Sequence, residues 1–154
     1  ERKLFIEKEK LIRKLNWFYS LEVNQVDLYA AQSKLVDDIY IKKTLERVSM
    51  IEQKHVENIA KKIKELGEKP IFLSDIIAPI TGKISGNITG RISIIKLLKI
   101  NISLEEKAMK DYKDFILKSG KDSDLFELLW SNLIDEDLHT AWFSNKLKEL
   151  NKTF

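Results

Sequence analysis

Backbone breakers are confined to two places in this chain of 154 residues. Gly67, Pro70, Pro79, Gly82, Gly86 and Gly90 share one stretch, and Gly120 stands alone. Glycine and proline are the residues that interrupt regular structure, so the long stretches between them are free to run as single elements. Those stretches are rich in Leu, Ile, Lys and Glu. Their apolar residues recur at alternating steps of three and four, the period of a helix with one face toward a core. Four helices are predicted: A over about 3–35, B over about 38–66, C over about 93–119 and D over about 123–151. Sustained two-residue alternation, the mark of a strand, is absent.

The stripes name the core. Helix A presents Leu11, Leu15, Phe18, Val26 and Tyr29, and helix B presents Ile41, Leu45, Val48, Ile59 and Ile63. Helix C presents Ile95, Leu98, Ile102, Met109, Tyr112 and Ile116, and helix D presents Leu125, Leu129, Leu133, Phe143 and Leu147. Asp37 or Asp38 caps the start of B, Gly67 stops it, and Asp122 or Ser123 opens D. Trp17, Trp130 and Trp142 are expected to pack. The links A to B and C to D are short, which forces antiparallel neighbours. The link from B to C, about 67–92, is long enough to run the length of a helix and return the chain to its starting end. The expected fold is all-α: a single domain over 1–154, a four-helix bundle of two antiparallel hairpins joined by one long crossover.

Composition removes several chemistries. With no cysteine there is neither a disulfide nor a thiolate metal site nor a cysteine nucleophile. A net charge of +3 against 27 basic and 24 acidic side chains gives no case for a nucleic-acid partner. No run of about 18 apolar residues is present, so no spanning helix is expected.

The same stripes are interrupted by one recurring chemistry. Glu22 stands between Phe18 and Val26, and Glu105 between Ile102 and Met109; Glu52 and His55 follow Val48, and Glu136 and His139 follow Leu133. Both histidines of the chain thus stand three residues after a core-facing glutamate, and residues three apart share a helix face. The halves repeat: Glu22 and Tyr29 recur 83 residues later as Glu105 and Tyr112, and Glu52 and His55 recur 84 later as Glu136 and His139. Four carboxylates buried together repel and resist ionisation, at several kcal/mol per uncompensated ion. Two divalent cations balance four negative charges and gain one imidazole each. Oxygen and imidazole donors without thiolate suit Fe, Mn or Zn. Tyr29 and Tyr112 either pack or donate hydrogen bonds to these carboxylates. Glu106 and Asp137 point roughly 100° away around their helices.

A glutamate from each of two helices and a Glu-x-x-His from each of the other two is the ligand pattern of ferritin-like dimetal proteins, and the whole chain resembles that superfamily. The resemblance implies a ferritin-like four-helix bundle with Glu22, Glu52, His55, Glu105, Glu136 and His139 as metal ligands, Glu52 and Glu136 bridging. Leu104-Glu105 and the run Asp135 to Trp142 look like the matching segments of bacterioferritin, where an aspartate before Glu-x-x-His orients a metal-bound histidine. Asp135 would so hold His55; the equivalent place in helix B is Ile51, which leaves His139 without that partner. Departures narrow the family. Gln53 stands where cage-forming bacterioferritins carry a haem-binding methionine, and the sequence stops at Phe154 soon after helix D. Hence no haem is expected, and a dimer is favoured over a 24-subunit cage. Ala108 replaces the extra glutamate of rubrerythrins. The ligand spacing also looks like that of demethoxyubiquinone hydroxylases, and Leu104 to Ala108 with Tyr112 like ferritin-like domains attached to vacuolar-iron-transporter-like proteins.

The superfamily chemistry implied is oxidation by O2 or peroxide at two Fe(II) ions with an external electron donor; the alternatives are a non-catalytic iron-binding, storage or sensor domain and a quinone monooxygenase. The stretch 76–104 lacks acidic residues before Glu105 and carries Lys83, Arg91, Lys96 and Lys99, with Gly82, Gly86 and Gly90 spaced by four. It covers its own bundle, joins a second copy, or lies on a membrane surface. The expected location is cytoplasmic, with membrane-peripheral contact through that stretch as the variant.

Overall fold

The computed structural model describes residues 2–74, 76–78, 87–119 and 122–152, with side chains from residue 7 onward. Four helices carry nearly all of it: α1 (Arg2–Leu35), α2 (Ile39–Glu65), α3 (Arg91–Ile116) and α4 (Ser123–Lys152). Among the described residues no strand forms; one isolated bridge joins Val36 to Ile88.

Local chemistry sets the helix ends. The Asp38 carboxylate accepts the Ile41 amide at 3.0 Å and opens α2, satisfying a donor that has no partner inside the helix. Gly67, at φ 88°, lets the chain leave α2 while the Glu68 amide bonds back to the Ile63 carbonyl at 3.1 Å. Asp122 accepts the Leu125 amide at 2.9 Å at the start of α4 and takes the Lys62 ammonium at 2.7 Å. That ion pair places the start of α4 beside the end of α2.

Cross-bundle contacts give the topology. Gln32 pairs with Asn101 through two 2.9 Å hydrogen bonds, and Phe18 stacks on Tyr112 with centroids 4.3 Å apart. Hence α3 descends antiparallel to α1. The crossover runs beside α1 in the α1 direction: Asn16, Ser20 and Asn24, one turn apart, accept the amides of Ile71, Leu73 and Ile76 at 2.9, 2.9 and 2.7 Å. The Ile88 amide then reaches the Leu35 carbonyl at 2.9 Å, at the far end of α1. The result is a ferritin-like four-helix bundle, two antiparallel hairpins joined by a crossover that returns the chain along the bundle.

The core stripes of α2 are buried throughout, as are Leu15, Phe18 and Tyr29 of α1 and Leu125, Leu129, Leu133 and Phe143 of α4. The α3 face sits differently. Leu98 and Tyr112 are buried, but Ile95, Ile102, Met109 and Ile116 are half-buried, and Leu97, Leu104, Ala108 and Phe115 complete the core. Trp17 and Trp142 pack against the core, whereas Trp130 is 46% exposed and stacks on Phe126, so it is not the core residue its type suggests. Of the basic stretch, Lys96 and Lys99 are exposed on α3 and Arg91 starts that helix. Gly90 stands just before it at φ 77°, in a conformation that favours glycine. Ile80, Gly82, Lys83, Ile84, Gly86 and Gly120 lie outside the described residues. No helix is long and apolar enough to cross a membrane among the described residues.

Candidate metal centre

Each helix delivers its polar residues to one level of the bundle. Glu22, Glu52, Glu105 and Glu136 are fully buried, His55 is 2% exposed and His139 5%. Both imidazoles turn Nδ1 toward the carboxylates. His55 Nδ1 lies 3.2 Å from Glu22, 3.3 Å from Glu136 and 3.5 Å from Glu52. His139 Nδ1 lies 3.3 Å from Glu52, 3.5 Å from Glu105 and 3.9 Å from Glu136. Two overlapping groups result, Glu22, Glu52, His55 and Glu136, and Glu52, Glu105, Glu136 and His139, each with one donor atom per residue within 4.8 Å of the others. Glu52 and Glu136 belong to both.

Around the six stand side chains that aim them. Tyr112 donates to Glu22 and Tyr29 to Glu105, each at 2.6 Å, so both tyrosines are core residues and carboxylate donors at once. Asp135 Oδ2 lies 2.7 Å from His55 Nε2. Two further residues take part that the sequence did not single out. Gln25 donates to Glu136 Oε2 at 3.2 Å, and Asn132 donates to the Tyr112 hydroxyl at 3.2 Å. Gln25 lies one turn from Glu22 and Asn132 one turn from Glu136, on the same buried faces; a buried amide one turn from a buried acid was the available signal. Glu106 and Asp137 are exposed.

The donor atoms are far from satisfied by protein. Both oxygens of Glu52, one each of Glu22, Glu105 and Glu136, and both ring nitrogens of His139 are buried and lack a hydrogen-bond partner. A buried polar atom left unpaired is disfavoured by about 1–3 kcal/mol, more if charged. A cluster of them aimed at one spot fits a cationic occupant. Without one, protons compensate. Burial first, then the neighbouring Glu136 carboxylate, raises Glu22, Glu52 and Glu105, the latter two well above the ordinary range. Burial also pushes Glu136 up, but its close contacts with Glu105, His55 and Glu52 outweigh it and hold this carboxyl low. For His55 burial acts downward, yet Glu22, Asp135 and Glu136 push the imidazole up to about 12. His139, by burial, is lowered. Burial and mutual repulsion thus push Glu22, Glu52 and Glu105 toward the protonated form, while Glu136 and His55 favour their charged forms.

Fold and polar core together define a ferritin-like protein whose bundle interior carries a carboxylate and imidazole cluster able to hold metal. The ferritin-like domain family model matches residues 12–153, and the chain belongs to that family. It is also similar to a bacterioferritin of Desulfovibrio desulfuricans (strain ATCC 27774 / DSM 6949 / MB), 24% identical over 155 aligned residues covering 96% of this chain and 81% of that protein.

Proposed function

We propose that this domain binds two divalent metal ions, iron in the first place and Mn or Zn as alternatives, and works as an Fe(II)-dependent oxidoreductase toward O2 or peroxide. The observation that carries the reading is the convergence of unpaired buried oxygen and imidazole atoms from all four helices on two overlapping groups. Glu22 and His55 would hold one ion, Glu105 and His139 the other, and Glu52 and Glu136 both. When bound, a pair of Fe(II) ions supplies two electrons to the oxidant.

The chain's own residues do the rest. Burial of the six keeps bulk water from the site, and the two tyrosines that touch it are packed in turn, Tyr112 on Phe18 and Tyr29 against Phe143. Tyr29 and Tyr112 fix one oxygen of Glu105 and of Glu22 and leave the other free for a cation. His55 and the raised carboxyls must release their protons before a cation binds, which ties loading to proton loss. The near-complete burial of all six residues supports a small oxidant over a bulky organic substrate.

A second reading, iron storage or sensing without turnover, draws support from the similarity to a bacterioferritin. Rapid mixing of Fe(II)-loaded protein with O2 separates the two. Growth of visible absorbance from oxidised iron within seconds, with repeated turnover when a reductant is supplied, is the expected result. Retained Fe(II) with no spectral change contradicts the oxidoreductase reading.

A further inference from the structure

The outer face of α4 is apolar where a helix turned to water is expected to be polar. Phe126, Trp130, Ile134 and Leu138, spaced by four, form one row and are all exposed. Phe126 and Trp130 stack on each other with centroids 6.3 Å apart. A contiguous row of exposed aromatic and aliphatic side chains marks a binding surface. The charges beside it have one sign. From Ser123 to Asn145, α4 carries Asp124, Glu127, Asp135, Glu136 and Asp137 and no lysine or arginine; Asp124, Glu127 and Asp137 are exposed.

The first half of α3 is the converse. From Arg91 to Leu104 it carries Arg91, Lys96 and Lys99 and no acid. Ile92, Ile95, Lys96, Lys99, Ile100 and Ser103 line an open groove of about 430 Å³, and Ile92 is 84% exposed. Two rows of four-residue spacing run through this lining, Ile92, Lys96 and Ile100 in one and Ile95, Lys99 and Ser103 in the other. A row of four-spaced side chains seated between two such rows is the commonest way for helices to pack. Contacts of Tyr112 with Asn132 and of Met109 with Thr140 show that α3 and α4 are antiparallel. The two faces, each in the first half of its helix, therefore lie toward opposite ends of the bundle, and a chain cannot seat its own row in its own groove. Pairing the α4 row with itself across a two-fold axis would set acid against acid, whereas the α3 groove sets Glu127 and Asp137 against lysines.

We propose that the α4 row of one copy docks head to tail in the α3 groove of a second copy of this chain, with Trp130 as the central apolar anchor and Lys96 and Lys99 facing Glu127 and Asp137. Each copy carries one row and one groove, so the assembly grows until the last copy closes on the first.

Sedimentation velocity at low and high salt tests the contact. Wild type is expected to sediment above the monomer and to move toward it as salt rises. Trp130→Ala is expected to weaken association about 10-fold or more. Glu127→Lys with Asp137→Lys, and Lys96→Glu with Lys99→Glu, each set like charges across the contact and return the chain to monomer. An equimolar mixture of these two double variants restores opposite signs and is expected to assemble again, which a misfolded variant would not do. A wild type that is monomeric at low salt, an assembly that the α3 changes leave intact, or double variants whose mixture stays monomeric overturns the proposal. A monomeric wild type that binds vesicles of anionic lipid, and loses them in Lys96→Glu with Lys99→Glu, assigns the groove to a membrane surface and overturns it as well.

Discussion

Tyr112 on α3 donates a 2.6 Å hydrogen bond to Glu22 on α1, and its own hydroxyl oxygen accepts from Asn132 on α4. Three helices are thereby tied through one phenol. Tyr112→Phe removes the donor and leaves Asn132 Nδ2 facing an apolar ring. Metal affinity is expected to fall about 10-fold or more, and the metal-free protein to lose about 1–3 kcal/mol. Tyr29→Phe, whose phenol touches Glu105 without an amide behind it, is expected to have a smaller effect on stability. Chemical denaturation and Co(II) affinity measured on both variants check this; equal losses would contradict it.

Glu52 has two buried oxygens without a hydrogen-bond partner, and burial with Glu136, Glu22 and Glu105 around it raises its pKa. Glu52→Gln keeps the shape and removes the ionisable group. The metal-free variant is expected to be more stable than wild type, by a margin that grows as pH rises above the ordinary carboxylate range. Its metal binding is expected to be lost. Opposite signs in the two assays mark a residue kept for its ligand role. A variant less stable than wild type at pH 9 would argue that Glu52 is structural.

The stability of the metal-free protein should depend on pH in a definite direction. A group whose folded pKa lies above its unfolded value gives stability that is present below the unfolded pKa and lost as pH rises through the folded one. Glu22, Glu52 and Glu105, raised from 4.5, and His55, raised from 6.5 to about 12, all act this way. Glu136 and His139 are shifted downward from 4.5 and 6.5, so their stabilisation is lost on acidification and is constant above pH 6.5. Above pH 6.5 the two downshifted groups no longer contribute to the slope while His55 still does, and the melting temperature in chelator should fall as pH rises to 9. In the loaded protein cations replace the protons and the fall should vanish. A metal-free melting temperature that climbs between pH 6.5 and 9 would contradict the assignment.

Asn16, Ser20 and Asn24 hold the crossover against α1 by accepting three of its amides. Asn24→Ala is expected to cost about 1 kcal/mol and to speed hydrogen exchange at Ile71, Leu73 and Ile76, with metal affinity unchanged. Exchange confined to other segments would show that the ladder does not hold the crossover.

Much of this was legible in the sequence because helical period reports on one helix at a time. The breakers gave four helices, and Glu52 with His55 and Glu136 with His139 announced themselves by spacing alone. What escaped depends on how helices meet. The amides of Gln25 and Asn132 and the ladder of Asn16, Ser20 and Asn24 find partners on other segments, in a register that no single stripe encodes. The rotation of α3, which buries Leu97 and Ala108 and lifts Ile95 and Ile102 toward solvent, was hidden because isoleucine is apolar enough for either face. Trp130 escaped for the same reason: its type favours burial, and its place on α4 decides otherwise.

The most direct test of the whole account is a metal count. Protein loaded anaerobically with Fe(II), freed of excess and analysed for iron per chain, should hold two ions, while Glu52→Ala and His139→Ala should each hold fewer. An unloaded wild type after that treatment, or two ions retained by either variant, would contradict the proposed centre.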